Sequence, residues 1–200
     1  MNALPTLICI PDISGFTEFM SDTDIGLSAK VISTLLNKVI YANNIGLKLS
    51  EIEGDAVLFF RNGELPTLEE LTNQCKEFYV EFYNQLELLY KKNKNHDDGN
   101  NIYKMLGLKI ILHYGKEVSS VPIGKNIKLM GEDVITAHRL LKNDIELDDY
   151  LLISENLLNE FSETDIKESL AWDKLITHKT SYEHIGDITY SFINLETINK

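Results

Sequence analysis

Two strand-like apolar runs in the first third of this chain each end on an aspartate beside a glycine. Asp12 closes the run Leu7-Ile8-Cys9-Ile10-Pro11-Asp12-Ile13-Ser14-Gly15. Asp55 sits inside Leu49-Ser50-Glu51-Ile52-Glu53-Gly54-Asp55-Ala56-Val57-Leu58-Phe59-Phe60, where Gly54-Asp55 reads as the two-residue turn of a β-hairpin. A chain with this pattern must place both aspartates at strand ends. If the strands are neighbours, the two carboxylates meet. Paired carboxylates form a hard-oxygen site suited to Mg²⁺ or Mn²⁺, the ions that accompany phosphates. Taken singly, each aspartate can equally cap backbone N–H groups of its own turn.

The remaining pattern alternates strands with helices. Leu4 to Pro11 reads as a buried first strand, ending at Pro11 because proline is excluded from central ladder positions. A glycine turn and a short helical piece follow over Ser14 to Asp22. Val31, Ile32, Leu35, Leu36, Val39 and Ile40 recur at helical spacing and predict a helix over 25–43. Strands are expected at Leu47–Glu53 and Ala56–Arg61. Thr67-Leu68-Glu69-Glu70 resembles a capping box opening a long helix to about Lys92. That helix carries Phe78, Tyr79, Phe82, Tyr83 and Tyr90, a stripe read as core packing. An exposed loop over 91–101 leads to a strand at Met105–Tyr114, then a hairpin loop with a short inner strand over Gly115–Asn126. A helix at Gly131–Lys142, a strand at Tyr150–Ile153, a short helix at Glu155–Phe161 and a closing hairpin, Thr180–His184 with Ile188–Leu195, complete the series. The order predicts a single α/β (α+β) domain over 1–200, with a mostly antiparallel sheet covered by helices.

Bulk properties narrow the function. A formal net charge of −12 opposes non-specific nucleic-acid binding and docking on an acidic membrane. It leaves nucleotide ligands open, because bound cations can supply positive charge. No apolar run reaches the ~20 residues of a membrane helix. Met1 to Leu7 lacks a basic segment ahead of an apolar core, so no signal peptide is expected. Two cysteines, Cys9 and Cys75, read as free thiols of a cytoplasmic protein, and no zinc-type spacing is present.

Three motifs carry a family resemblance. Asp12-Ile13-Ser14-Gly15-Phe16-Thr17 is similar to the Asp-Ile-x-Gly-Phe-Thr of class III nucleotidyl cyclase domains, the adenylate and guanylate cyclases. Glu51-Ile52-Glu53-Gly54-Asp55 resembles their Lys/Glu-x-x-Gly-Asp hairpin. Gly131-Glu132-Asp133-Val134-Ile135-Thr136-Ala137-His138-Arg139 resembles Gly-Asp-x-Val-Asn-x-Ala-x-Arg. The likeness spans about residues 5–142 well and the C-terminal part weakly, as in a divergent bacterial subfamily of stand-alone cyclase-like domains.

The resemblance implies a ferredoxin-like core working as a head-to-tail homodimer with interfacial sites. Asp12, Asp55 and the backbone carbonyl of Ile13 would hold two Mg²⁺ or Mn²⁺ ions. Backbone N–H groups of Gly15, Phe16 and Thr17 would cradle the phosphates of a nucleoside triphosphate. Arg139 of a second subunit would stabilise transition-state charge. Glu51 and Lys128 fall on the base-recognition positions, where family members with glutamate at the first position use guanine. An ordinary salt bridge between the two is the competing reading. The implied reaction yields a cyclic nucleotide and pyrophosphate.

Two departures stand out. The family's catalytic asparagine falls on Ile135, which cannot donate a hydrogen bond. Its late phosphate-contacting lysine has no counterpart near His184-Ile185-Gly186-Asp187. Three functional readings result. One is a metal-dependent nucleotidyl cyclase; the alternative is a catalytically lapsed nucleotide-binding or dimeric regulatory domain on the same fold; the third is a different metal-dependent phosphate reaction such as nucleotide hydrolysis, for which no dedicated water-activating residue is identifiable.

Overall fold

The computed structural model describes residues 3–124 and 126–199. Met1 and Asn2, at the start of the segment read for a leader, lie outside them, as does Lys125 in the predicted loop. The strands are β1 (Leu4–Ser14), β2 (Lys48–Glu53), β3 (Ala56–Asn62), β4 (Gly107–Ile123), β5 (Asn126–Met130), β6 (Tyr150–Ser154), β7 (Ile176–Tyr182) and β8 (Gly186–Asn194). The helices are α1 (Phe16–Asp22), α2 (Ile25–Tyr41), α3 (Leu68–Asn93), α4 (Asn101–Met105), α5 (Glu132–Leu140), α6 (Glu155–Leu158) and α7 (Glu163–Ser169). The sheet runs β2-β3-β1-β4-β6-β8-β7, with β5 paired to β4. All pairings are antiparallel except β4 with β6. The mostly antiparallel α/β architecture expected from the sequence is observed.

Strand alternation divides the core into two layers. Leu7, Cys9 and Ile13 of β1 face the side covered by α2 and α3, packing with Leu35, Val39, Phe78 and Phe82. Ile8 and Ile10 face the other side, where α5 contributes Val134, Ala137 and Leu140. Asp12 is next in that second row. The aromatic stripe of α3 is core, as read: Phe78, Tyr79 and Phe82 are buried, and Phe78 stacks on Phe59 at 5.7 Å between ring centroids. Thr67 and Glu70 form the expected reciprocal capping box at the start of α3.

Three expectations are corrected. First, β1 does not stop at Pro11 but continues to Ser14 as a central strand. Pairing with β3 passes from Cys9–Phe59 to Asp12–Ala56 and skips Ile10 and Pro11, so the missing proline N–H coincides with a gap in the ladder. Second, Gly115–Asn126 is not a loop: β4 runs through it to Ile123 and folds back as β5. Small polar residues such as Ser119 and Ser120 hid this arm from a hydrophobic-period reading. Third, α7 was unseen. It buries no residue fully and is held by a Ser162–Asp165 capping box, so it lacks an apolar stripe to read.

A buried carboxylate just before β6 ties that strand to β4 and α3. Asp149 accepts from the Leu108 backbone N–H at 2.8 Å and from the Tyr83 hydroxyl at 2.7 Å. Its own backbone carbonyl accepts from Leu195 N–H at 3.1 Å. Burial pushes its carboxyl up to about 6, partly offset by these hydrogen bonds.

Candidate functional site

Asp12 lies opposite Ala56 of β3 and Lys109 of β4, so its carboxylate emerges between two strands and under α5. Asp55 occupies the second position of the two-residue β2–β3 turn. Gly54, the first position, has φ +62°, the left-handed backbone such tight hairpins require. The turn is fixed to β1 by a hydrogen bond from Ile13 N–H to the Asp55 carbonyl at 3.2 Å. Strand register thus brings the two aspartates together, as their sequence contexts predicted.

Both line one cavity of about 380 Å³, with Ile10 and Leu58 alongside Glu53, Lys109, His138, Leu141 and Lys142. Asp12 is 7% exposed. Its Oδ2 forms an ion pair with Lys109 Nζ at 3.2 Å. Its Oδ1 is buried with no hydrogen-bond partner. Asp55 is pushed up to about 7, first by burial and then by the charge and hydrogen bond of Asp12, while Lys109 pulls it down. A carboxylate pair held this close favours proton sharing or a bound cation.

The donor set fits a divalent ion of the hard class. Mg²⁺ is usually held by one or two carboxylates together with phosphate oxygens rather than by a dedicated protein cage. Among the described residues no cluster of three His, Cys, Asp or Glu side chains is preformed for a metal. The orphaned Oδ1 of Asp12 is the one buried side-chain polar atom there without a partner, and it faces this need directly.

The other predicted residues are distributed around this cavity. Gly15, at φ +75°, precedes α1, with Phe16 half-buried and Thr17 exposed in its first turn. A Cβ at Gly15 would stand 1.7 Å from the Met105 carbonyl oxygen, so packing alone demands glycine there. Glu51 and Lys128 form an ion pair at 3.0 Å, the salt bridge anticipated as the competing reading. They line a neighbouring cleft of about 540 Å³ with Glu53, Met130, Ile135 and His138. Arg139 is exposed on α5 and does not line the aspartate cavity of its own chain. His184 is exposed at the tip of the β7–β8 hairpin and is likewise absent from that lining.

Sequence reasoning missed Lys109, Lys142 and His138. The readable clue for Lys109 was a single charge inside Leu108-Lys109-Ile110-Ile111-Leu112, a run otherwise apolar. A larger cleft of about 610 Å³ lies between the start of α3 and α7. Of its lining carboxylates Asp165 is engaged in helix capping, and no buried unpartnered side-chain atom belongs to its lining residues.

A family model described as "Protein of unknown function (DUF2652)" matches residues 32–150. The chain belongs to this family. It is 29% identical over 170 residues to "Uncharacterized protein Rv2561/Rv2562" of Mycobacterium tuberculosis, covering 83% of this chain and 74% of that one. Among solved structures it resembles the guanylyl cyclase Cya2, with a TM-score of 0.69 at 14% identity, covering 96% of this chain and 93% of that one. It also resembles the guanylate cyclase domain of RhGC from Catenaria anguillulae, determined in complex with GTP, at TM-score 0.65, 15% identity and coverage of 97% and 98%. The adenylyl cyclase CyaB from P. aeruginosa gives 0.61 at 14% identity, covering 96% and 94%. This member of DUF2652 therefore has the fold of adenylyl and guanylyl cyclase domains. No helix among the described residues is long and apolar enough to cross a membrane.

Proposed function

We propose that this domain binds a nucleoside triphosphate at the Asp12–Asp55 cavity with divalent metal ions and converts it to a cyclic nucleotide and pyrophosphate. The observation that carries the reading is the orphaned Oδ1 of Asp12 beside Asp55, in a cavity also lined by Lys109 and Lys142. Mg²⁺ or Mn²⁺ held by Asp12, Asp55 and the Ile13 carbonyl would supply activation of the attacking oxygen and neutralise the leaving group.

The chain's own residues account for the rest. In the reaction the ribose 3′-hydroxyl loses its proton to solvent, its oxygen bonds to the α-phosphorus, and the bond from that phosphorus to the oxygen bridging to the β-phosphorus breaks, releasing pyrophosphate. Lys109 and Lys142 line the cavity and offer ammonium groups to the phosphates, compensating for the absent lysine near His184. The N–H groups of Phe16 and Thr17, in the first turn of α1, have no intrahelical acceptor and suit phosphate oxygens. Glu51, tied to Lys128, retains one carboxylate oxygen for a base edge.

Arg139 faces solvent in its own chain, which supports its acting on the site of a second copy. Large apolar side chains at Ile52, Ile127, Met130 and Ile135 are 42–53% exposed on β2, β5 and α5, a surface suited to such a homodimer.

Ile135 favours a second reading. It is 53% exposed where the resemblance places a catalytic asparagine. Removing one preorganised transition-state donor costs on the order of 10²–10³ in rate. Turnover is therefore expected to be slow, and a lapsed domain would bind without turnover. The test is incubation with each nucleoside triphosphate and Mn²⁺ at high protein concentration, with product analysis by mass spectrometry. Cyclic product that disappears in Asp55→Asn supports the cyclase; binding with no product from any nucleotide selects the lapsed domain.

A further inference from the structure

Asp12, Asp55 and Lys109 come from adjacent elements of one chain: β1, the β2–β3 turn and β4. Asp12 and Lys109 stand directly opposite in the β1–β4 register, on the row that also holds Ile8, Ile10 and Ile111. Lys109 Nζ lies 3.2 Å from Asp12 Oδ2 and 3.5 Å from the Leu141 carbonyl oxygen at the end of α5. An ammonium group therefore already rests against the carboxylate proposed to hold metal. We infer that Lys109 is a built-in counter-ion that keeps the aspartate pair closed to free divalent metal until the phosphates of a nucleotide draw the ammonium away. This rests on the proposed metal site.

Charge and burial support the assignment. Asp12 is buried and Lys109 half-buried, so their charges are screened less than a surface pair. A divalent ion entering alone adds positive charge beside an ammonium in this partly dry cavity, where the repulsion exceeds its value in water. The open Oδ1 of Asp12 does not remove the conflict, because an ion there stands one carboxylate's width from Nζ. Lys109 acts on the second aspartate too, since its charge pulls the Asp55 carboxyl down against the effect of burial. Lys142, the other lysine lining the cavity, makes no ion pair with either aspartate among the described residues.

A triphosphate reverses the balance. Its oxygens complete the shell of the metal and give Nζ a new acceptor. A lysine suits that exchange, being a point charge on a flexible four-carbon stem. Metal and nucleotide then strengthen each other's binding reciprocally. Removing the ammonium has effects of opposite sign: free metal binds more tightly and nucleotide more weakly. A lysine that only stabilised the fold would weaken both on removal. One that only met phosphate would leave binding of free metal unchanged.

The experiment titrates the full chain with Mn²⁺, followed by electron paramagnetic resonance, first alone and then with α,β-methylene analogues of ATP and GTP, subtracting the ion held by the analogue itself. Lys109→Met and Lys109→Gln should bind Mn²⁺ alone about tenfold to a hundredfold more tightly than wild type, the effect of removing a positive charge about 5 Å away in a partly buried site. Both variants should bind the analogues more weakly. Lys109→Arg should behave as wild type, and Asp12→Asn added to Lys109→Met should abolish the gain. Circular dichroism melts identify any variant that fails to fold; if both neutral variants do, the wild-type comparison decides. Unchanged Mn²⁺ affinity in a folded neutral variant, or wild type binding Mn²⁺ as tightly alone as with an analogue, overturns the counter-ion while leaving the metal site standing. No Mn²⁺ bound by wild type or variant, with or without an analogue, overturns both.

Discussion

Lys109 and Asp12 face each other across the β1–β4 pairing, with Nζ 3.2 Å from Oδ2, while Oδ1 of the same carboxylate is buried with no donor beyond the neighbouring Asp55 carboxyl. One oxygen is thus met by a lysine, and the other is left for a proton shared with Asp55 or for a cation. The Lys109 side chain also reaches toward the Leu141 carbonyl at 3.5 Å, tying β4 to the end of α5. Lys109→Met should leave two carboxylates in one cavity without a counter-charge. The expected loss is about 1.5–3 kcal/mol, the range for a hydrogen bond to a charged group. Added Mn²⁺ should restore much of it. A chemical melt with and without the ion checks this, and an unchanged midpoint for the variant would show that Lys109 does not balance the aspartates.

Gly15 is held by its surroundings before any ligand is considered. Gly15→Ala meets the Met105 carbonyl at 1.7 Å and must adopt φ +75°. The left-handed backbone alone costs about 1–2 kcal/mol, and the overlap adds to it. The variant should melt lower in buffer free of nucleotide. Wild-type stability with only nucleotide affinity reduced would assign Gly15 to ligand binding instead.

Asp149 sets a pH dependence. Its folded carboxyl lies near 6, above its ordinary range, because burial penalises the charge. Its contribution is fully present below about pH 4 and is lost as pH rises through 6, by at most about 3 kcal/mol. Asp149→Asn keeps an acceptor for Leu108 N–H and a donor for the Tyr83 hydroxyl. The variant should therefore fold and show a flatter stability profile between pH 4.5 and pH 7.5, measured by denaturant titration. A profile as steep as wild type would remove Asp149 as its source.

The sequence disclosed the site to the extent that it is local. Gly54-Asp55 sits in a hairpin turn, and Asp12 extends the inward row of Ile8 and Ile10, so both aspartates could be placed by periodicity. Lys109 could not, because its role depends on the pairing of β1 with β4, contacts about 100 residues apart. The Glu51–Lys128 ion pair was found because two motifs converged on it. The β4–β5 arm and α7 escaped because neither carries a strong apolar period: one is rich in small polar residues, and the other is held by its cap. Pro11 misled for a physical reason, since its missing N–H falls where the ladder is already interrupted.

The metal site itself can be followed by electron paramagnetic resonance of Mn²⁺, whose free-ion signal falls as the ion is bound. Wild-type chain with a nucleoside triphosphate should deplete free Mn²⁺ beyond the amount the nucleotide alone removes. Asp12→Asn and Asp55→Asn should abolish that excess while remaining folded. Equal depletion by wild type and both variants would contradict the assignment of Asp12 and Asp55 as the metal-holding pair.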